Sequence, residues 1–453
     1  MAVSPFQHAR YGKKLLQVEP YGVEVVSTAE RHGSARSQFT LWLGSNLSIG
    51  SFALGALPIA LGIPWGYTLI AIIIGNLIGG LVVGACAAMG PTYGLPQLMI
   101  SRYSFGRIGN YLPALLNYLS TIGWFTVNNI LGAFGLRILF PSLSYVQAAA
   151  LLVIVQGLLA MYGHNLIHLY ERIMAVVLAA IFLIGSVIAL THFSTLALYQ
   201  PKTDSLWAMF AIMLASAFSY VGSWGPYASD YSRYLEKATS RKSILKNAFW
   251  GSFIASAWLE LVGVAVSILA GTGSSNIIVS LHTVMGGFGV IAVIAVVLGG
   301  TAADALNVYS NALSAGALGI RLPRFVLTLL ASLIGLILSL IGSGQFESNY
   351  ENFLLVLGYW LTPWVAVLLV DFYILKRYSQ AEADVRNKKA VYWPGLISFV
   401  VGFAVSIPFM SAQIYTGPIA QWLHGADLTF YVGFVVAGVV YYALCKRNKT
   451  VEF

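Results

Sequence analysis

Of the chain's 453 residues, 58% are hydrophobic and only 9% are charged, against roughly 25% charged in a soluble domain; this excludes a water-soluble globular fold. The apolar runs last about 20 residues instead of alternating over about ten, which excludes a transmembrane barrel and leaves helices that satisfy their own backbone in hydrocarbon. The formal net charge of +9 could mark a nucleic-acid surface, but its distribution along the chain makes it a topology signal instead.

The first 37 residues are polar ("QHARYGKKLLQVEP", "STAERHGSARS") and lack the apolar core of a cleavable signal. Twelve apolar segments follow, at 38–63, 67–90, 108–138, 145–163, 168–192, 205–229, 245–271, 285–318, 323–342, 350–375, 393–411 and 427–445. With the N-terminus placed in the cytoplasm, only Arg137 and Lys202 fall outside, and 23 of the 25 basic residues fall inside. That asymmetry predicts cytoplasmic N- and C-termini and an even number of spans. Loops are short, and the longest polar link, "KRYSQAEADVRNKKAVYWP", joins spans ten and eleven. No soluble domain can be cut out, so function is expected within the bundle. Cys86 and Cys445 show no metal-ligand spacing and read as small core residues.

Span one, "FTLWLGSNLSIGSFALGALPIALGIPW", holds Gly44, Ser45, Asn46, Ser48, Gly50 and Ser51 at its middle. Span six carries "SYVGSWGPYASDYSRY", with Ser219, Gly222, Ser223, Gly225 and Pro226. Glycine favours unwinding and proline removes a backbone donor, so both segments are expected to break in mid-membrane and free backbone groups for a ligand. Small residues also serve close helix packing, which explains either segment alone. Interruptions at matched places five spans apart point instead to the binding site of a secondary transporter built from two five-helix inverted repeats.

In span three, Trp124 and Asn128 are four residues apart and share a helical face. An indole with an amide one turn away can stack on a flat ring and hydrogen-bond its edge, or simply pack and tie two helices. In span eight, Thr301, Asp304, Asn307 and Asn311 form a polar stripe, and a carboxyl at that depth is a functional candidate. Glu260 in "ASAWLELVGVAV" is the other carboxyl near the centre of an apolar run, suited to carrying a proton or to a structural hydrogen bond. Asp230, Glu171 and Asp371 lie nearer span ends, where Arg or Lys can pair with them; Asp230 and Arg233, three apart, would meet near a cytoplasmic gate. His164 and His168 have the i, i+4 spacing of metal ligands but only Glu171 as an acidic helper, and no metal is expected there.

The motifs "GSARSQFTLWLGSNLSIGSFALG", "IGNLIGG", "SRYSFGRIGN", "SDYSRY", "TAADALNVYS" and "LGYWLTPWVAVLLVDFY", in this order, resemble the nucleobase–cation symporter-1 family, in particular its purine/cytosine permease branch. The resemblance implies an all-α, leucine-transporter-like 5+5 fold with two extra helices. It divides the chain into a cytoplasmic segment (1–37), a ten-helix core (38–380), two peripheral spans (381–445) and a cytoplasmic tail (446–453). It implies a substrate held between spans one, three, six and eight. Trp124 then resembles the stacking aromatic, and Asn128 and Asn307 the edge-reading amides, with Asp304 where asparagine is common. Ser223, Trp224, Tyr220, Ser48 and Ser51 complete the expected substrate contacts. Thr301 matches a hydroxyl ligand for sodium opposite carbonyls of the span-one break, with Asn46 beside it, whereas Glu260 favours protons.

The expected function is cation-coupled uptake, with H+ or Na+, of a nucleobase such as cytosine or a purine across the plasma membrane, by a protein acting as a monomer without nucleic acid or a cofactor. A vitamin B6 form, a thiamine-precursor pyrimidine, hydantoin or allantoin is the alternative cargo. An intramembrane enzyme would need a nucleophile–base pair or clustered metal ligands inside the bundle, and none of the seven histidines is central to a span.

Overall fold

Span two (Trp65–Ala87) shows how the sequence sorts itself in lipid. Ile70, Ile74, Ile78 and Leu81, spaced four, four and three, are all exposed on one face, while Gly75, Asn76, Gly79 and Gly80 are buried on the other. The apolar stripe turns outward and the small and polar residues turn inward, because lipid tails reward no burial of leucine and penalise exposed amides.

The computed structural model describes residues 22–161, 164–201, 203, 205–271, 276–320, 322–377 and 389–449. The charges expected within residues 1–21, Lys202, Arg321, most of the polar link between spans ten and eleven, and the last four residues lie outside that set. So do the side chains of His164, His168 and Glu171.

Each expected segment holds a helix. Span one is Ala35–Asn46 and Ile49–Ala60, bent by 52°. Spans three, four and five are Tyr111–Leu139, Tyr145–Met161 and His164–Thr191; span six is Leu206–Gly222 with Ala228–Ser232; span seven is Arg241–Ala270 and span eight Gly289–Ala317. Spans nine and ten, Arg324–Gly342 and Phe346–Leu369, join through the tight turn Ser343–Gln345, and spans eleven and twelve are Trp393–Ser406 and Thr429–Lys449. Among the described residues, eight helices are long and apolar enough to cross a membrane, and the bent pair makes a ninth. That tally takes Phe325–Ile374 as a single stretch and leaves out the shorter apolar helices Tyr145–Leu158 and Trp393–Phe409.

Two features were not legible in the apolar pattern. Ile277–Val284 forms a short helix between spans seven and eight, capped by Asn276 Oδ1 accepting from the backbone of Ile278 and Val279 at 3.0 and 3.1 Å. A two-stranded hairpin, Ser411–Ala412 with Tyr415–Thr416, precedes span twelve.

The spans pack in three groups among the described residues. Span two lies against six and seven, and one against seven; span three lies against eight, with four and nine alongside. Spans ten and eleven pack on twelve. Span two approaches span six as closely as backbones allow: a Cβ on Gly75 would sit 2.7 Å from the Leu214 carbonyl, and one on Gly79 would sit 2.9 Å from that of Phe218. This is a GxxxG face. Gly75→Val is expected to separate the two helices and destabilise the protein by about 1–3 kcal/mol, read as a lowered thermal midpoint in detergent. Gly66→Ala, with nothing within 4 Å of the added carbon, should leave it unchanged.

Candidate functional site

The helix of span one ends at Leu47 (φ −74°, ψ 61°) and restarts after Ser48, which is extended (φ −128°, ψ 163°). Backbone bonds close on either side, Leu47 N–H to Leu43 O at 2.9 Å and Phe52 N–H to Ser48 O at 3.2 Å. Side chains add further bonds. The Ser51 hydroxyl donates to the Asn46 carbonyl at 2.5 Å and lies 2.7 Å from the Tyr220 hydroxyl, which Ser48 meets at 2.9 Å. Asn46 donates to the Trp42 carbonyl at 2.8 Å and accepts from Ser256 Oγ at 2.9 Å. The break is thereby tied to span six through Tyr220 and to span seven through Ser256.

Span six differs from the expected second break. It runs as one stretch from Leu206 to Ser232, tightened to a 3₁₀ turn at Gly225–Tyr227 and not sharply bent. Pro226 stands in the first turn of a helical segment, where its missing N–H costs little. The i→i−3 bonds Trp224 N–H to Val221 O (3.1 Å) and Tyr227 N–H to Trp224 O (3.2 Å) carry the helix through this turn.

A small cavity lies beside the span-one break, lined by Ser48, Trp124, Asn128, Tyr220, Trp224, Ala303 and Asn307. Four spans meet there. Trp124 is held by the edges of Tyr220, Tyr350 and Phe353 at ring-centroid distances of 5.2, 6.2 and 5.1 Å. Trp224 packs edge-on against Trp42 and Tyr227 at 5.7 and 5.4 Å. Both indoles are therefore fixed by edge-to-face contacts.

Behind the two amides lies Asp304, whose Oδ1 accepts from Asn128 Nδ2 at 2.8 Å and from Asn307 Nδ2 at 3.2 Å. Three buried polar atoms here have no partner among the described residues: Trp124 Nε1, Asn307 Oδ1 and Asp304 Oδ2. An unmet buried polar atom costs about 1–3 kcal/mol, and two of the three belong to residues that line the cavity, the donor Trp124 Nε1 and the acceptor Asn307 Oδ1.

Of the other expected contacts, Ser51 stands one hydrogen bond behind the cavity, through Tyr220. Ser223 Oγ donates to the Tyr220 carbonyl at 2.7 Å, within its own helix. Thr301 donates to the Val297 carbonyl at 2.9 Å. It follows the point where span eight meets the break, since a Cβ on Gly299 would lie 3.3 Å from the Leu47 carbonyl. Asn311 ties span eight to span three through Thr121 Oγ1 and the Tyr118 carbonyl, at 2.8 and 3.0 Å. Glu260 stands apart in the pair of spans two and seven, where its Oε2 accepts from Asn76 Nδ2 at 2.7 Å and its Oε1 has no partner among the described residues.

At the end of span six, Asp230 accepts from the Gln97 N–H at 2.9 Å, while Arg233 donates to the Gly22 carbonyl at 2.7 Å and to the Tyr309 hydroxyl at 3.1 Å. Tyr350 and Phe353 escaped the sequence reading: they come from the start of span ten, where "SNYENF" reads as a polar helix entrance. Tyr350 nevertheless reaches the break itself, donating to the Gly50 carbonyl at 3.0 Å.

Residues 25–436 match a family described as permeases for cytosine/purines, uracil, thiamine and allantoin. A putative purine-cytosine permease of Bacillus subtilis, YxlA, is 30% identical over 446 residues, covering 95% of this chain and 96% of its own. The purine-cytosine permease fcyB of Emericella nidulans is 28% identical over 461 residues, covering 97% and 90%. Among solved structures, Mhp1, a nucleobase-cation-symport-1 family transporter in a closed conformation with bromovinylhydantoin bound, superposes with a TM-score of 0.77 at 18% identity, covering 95% of both chains. That likeness shows the leucine-transporter-like fold.

Tyr220→Phe leaves the hydroxyls of Ser48 and Ser51 short of a shared partner. The expected outcome is a loss of about 1–2 kcal/mol of stability with faster backbone hydrogen exchange confined to residues 47–51, measured by mass spectrometry.

Proposed function

The chain belongs to the family of permeases for cytosine/purines, uracil, thiamine and allantoin, a transporter and not an enzyme, and on that premise we propose that it takes up a nucleobase, such as cytosine or a purine, together with a cation. The observation that carries this reading is the cavity in which two edge-packed indoles and two amides meet at a helix break. The base lies against Trp124 and Trp224, Asn128 and Asn307 read its edge, and Ser48 and Tyr220 close the side facing the break. Stacking contributes attraction with little selectivity; the amides discriminate, since a mismatched base leaves them unpaired. Spans one, two, six and seven rock against three, four, eight and nine around this fixed site. We further propose twelve crossings with both termini in the cytoplasm, in the plasma membrane, as a monomer.

The coupling ion we propose is the proton, carried by Glu260. Its carboxyl is fully buried, takes a single amide hydrogen bond from Asn76, and keeps Oε1 open to hold a proton. Thr301 and the carbonyls beside Leu47 are the oxygen ligands that sodium would use instead.

Cells expressing the protein should accumulate labelled cytosine or adenine, and Asn307→Ala should weaken apparent affinity about 10–100-fold. Wild-type uptake by Asn307→Ala would remove that residue from the site, and competition only by vitamin B6 or a thiamine-precursor pyrimidine would move the cargo to those rings. Glu260→Gln is expected to abolish accumulation driven by a pH gradient while base–base exchange persists in proteoliposomes. Accumulation by Glu260→Gln that depends on a sodium gradient would assign the coupling to Thr301.

A further inference from the structure

A groove of about 500 Å³ lies between spans three, ten and eleven. Tyr359, Trp360 and Phe399 form its buried floor, and Leu112, Val356 and Val400 its exposed rims. Every lining residue is Leu, Ile, Val, Met or aromatic, and the Tyr359 hydroxyl is taken by Asp427 Oδ2 at 2.5 Å. Such a surface suits an apolar occupant. Another helix has the wrong shape for it: helices meet in membranes through small residues that let backbones approach, and this lining holds none. A flexible chain fits better. The wall from Phe399 to Ile407 runs about 12 Å at 1.5 Å per residue, most of the roughly 15 Å of hydrocarbon in one leaflet.

Beside one end of the groove stands a cationic shelf. The turn after the helix Gln97–Phe105 is fastened to the segment that enters span eleven. Arg107 N–H donates to the Lys389 carbonyl at 3.0 Å, Ile108 N–H to that of Ala390 at 2.7 Å, and Tyr392 N–H to that of Phe105 at 2.8 Å. Gly106 (φ 80°) permits the approach, since a Cβ there would sit 2.6 Å from the Tyr392 nitrogen. These bonds bring Arg107 and Lys389 together with both side chains exposed, and among the described residues neither meets a carboxylate. Arg102, near enough to repel Arg107, adds a third positive charge. Lys389 Nζ lies 5.8 Å from the centre of the Tyr392 ring, and the exposed Trp393 beside it is of the type that sits at headgroup level. Leu112 follows Arg107 by five residues and Phe399 follows Tyr392 by seven, two helical turns on one face, so shelf and groove are continuous.

We propose that the groove binds one anionic phospholipid, with its phosphate on Arg107 and Lys389 and an acyl chain along spans three, ten and eleven. The lipid fills the space between span three of the core and span eleven of the peripheral pair, and so joins the two. In the topology proposed above the shelf faces the cytoplasm, the side whose leaflet carries negative surface charge. The site is independent of which cargo the transporter carries.

The test compares phosphatidylglycerol and phosphatidylcholine with the same acyl chains, added to the full chain purified free of lipid in detergent. Each basic side chain near the surface contributes about a fivefold preference for an anionic lipid. Native mass spectrometry should therefore show one phosphatidylglycerol held per chain at least about tenfold more tightly than phosphatidylcholine, and the thermal midpoint should rise further with the former. Arg107→Gln combined with Lys389→Gln should bring the two lipids to within about threefold of each other. Val400→Trp, on the exposed rim, should weaken both together. Glycerol 3-phosphate, which carries the phosphate without the chains, should not move the midpoint. Equal retention of the two lipids by the wild type would overturn the proposal, and so decides the matter if the variants do not reach the membrane. An unchanged preference in the double variant, or unchanged binding in Val400→Trp, would overturn it as well. A midpoint shift by glycerol 3-phosphate as large as that by phosphatidylglycerol would remove the groove from the site, and a lipid-free dimer would assign the groove to a second copy of the chain.

Discussion

In hydrocarbon an unpaired N–H or C=O has no water to turn to, and beside the interruption at Leu47–Ser48 side chains replace helix bonds: Ser51 donates to the Asn46 carbonyl and Tyr350 of span ten to the Gly50 carbonyl. Ser51, Tyr220 and Ser48 hold one side of it and Ser256 with Asn46 the other. Each cluster reaches beyond span one, to span six through Tyr220 and to span seven through Ser256. The break requires span six at hydroxyl distance, and span six is itself held against span two by the bare backbone face of Gly75 and Gly79. The geometry of the break thus depends on helix contacts well away from it.

Two buried polar centres result, and they have different characters. The cavity between spans one, three, six and eight carries unmet donors and acceptors around a pair of fixed rings. The Glu260–Asn76 pair lies between spans two and seven and joins an amide to a carboxyl. Ser256, which holds Asn46 at the break, is one helical turn before Glu260 on span seven. Tyr220, which holds Ser48 and Ser51, lines the cavity. The residues flanking the break are therefore bonded on one side to the helix of the candidate ion carrier and on the other to the wall of the candidate substrate site. Both centres are thus linked to one short segment of span one.

The span-one break was legible because Gly, Ser and Asn crowd into a few residues of an otherwise apolar run, and small residues needed only for packing do not require an asparagine among them. The same logic overstated span six. There Pro226 falls where a helical turn tolerates it, and local 3₁₀ bonds absorb the disruption. The stripe of Asp304, Asn307 and Asn311 was visible as a stripe, but one face of a helix still meets several neighbours. Asn311 turned out to tie span three, Asn307 to line the cavity, and Asp304 to stand behind it. Tyr350 and Phe353 carried no signal, since an aromatic at a span entrance looks the same whether it meets lipid, loop or site.

The sequence by itself determined the class of molecule and its family pattern: the scarcity of charge, the length of the apolar runs, the one-sided distribution of Lys and Arg, and the order of motifs from span one to span ten. These are properties of composition and period, and each follows from the cost of placing polar groups in lipid, which every residue meets individually. The tertiary structure decided which of the polar residues face a common space and which satisfy one another. That is a question of pairing, and pairing of Asn128 with Asp304 across 176 positions of chain depends on how spans three and eight are rotated against each other. No local property of either helix encodes that rotation; it emerges only when all the buried polar atoms must find partners at once.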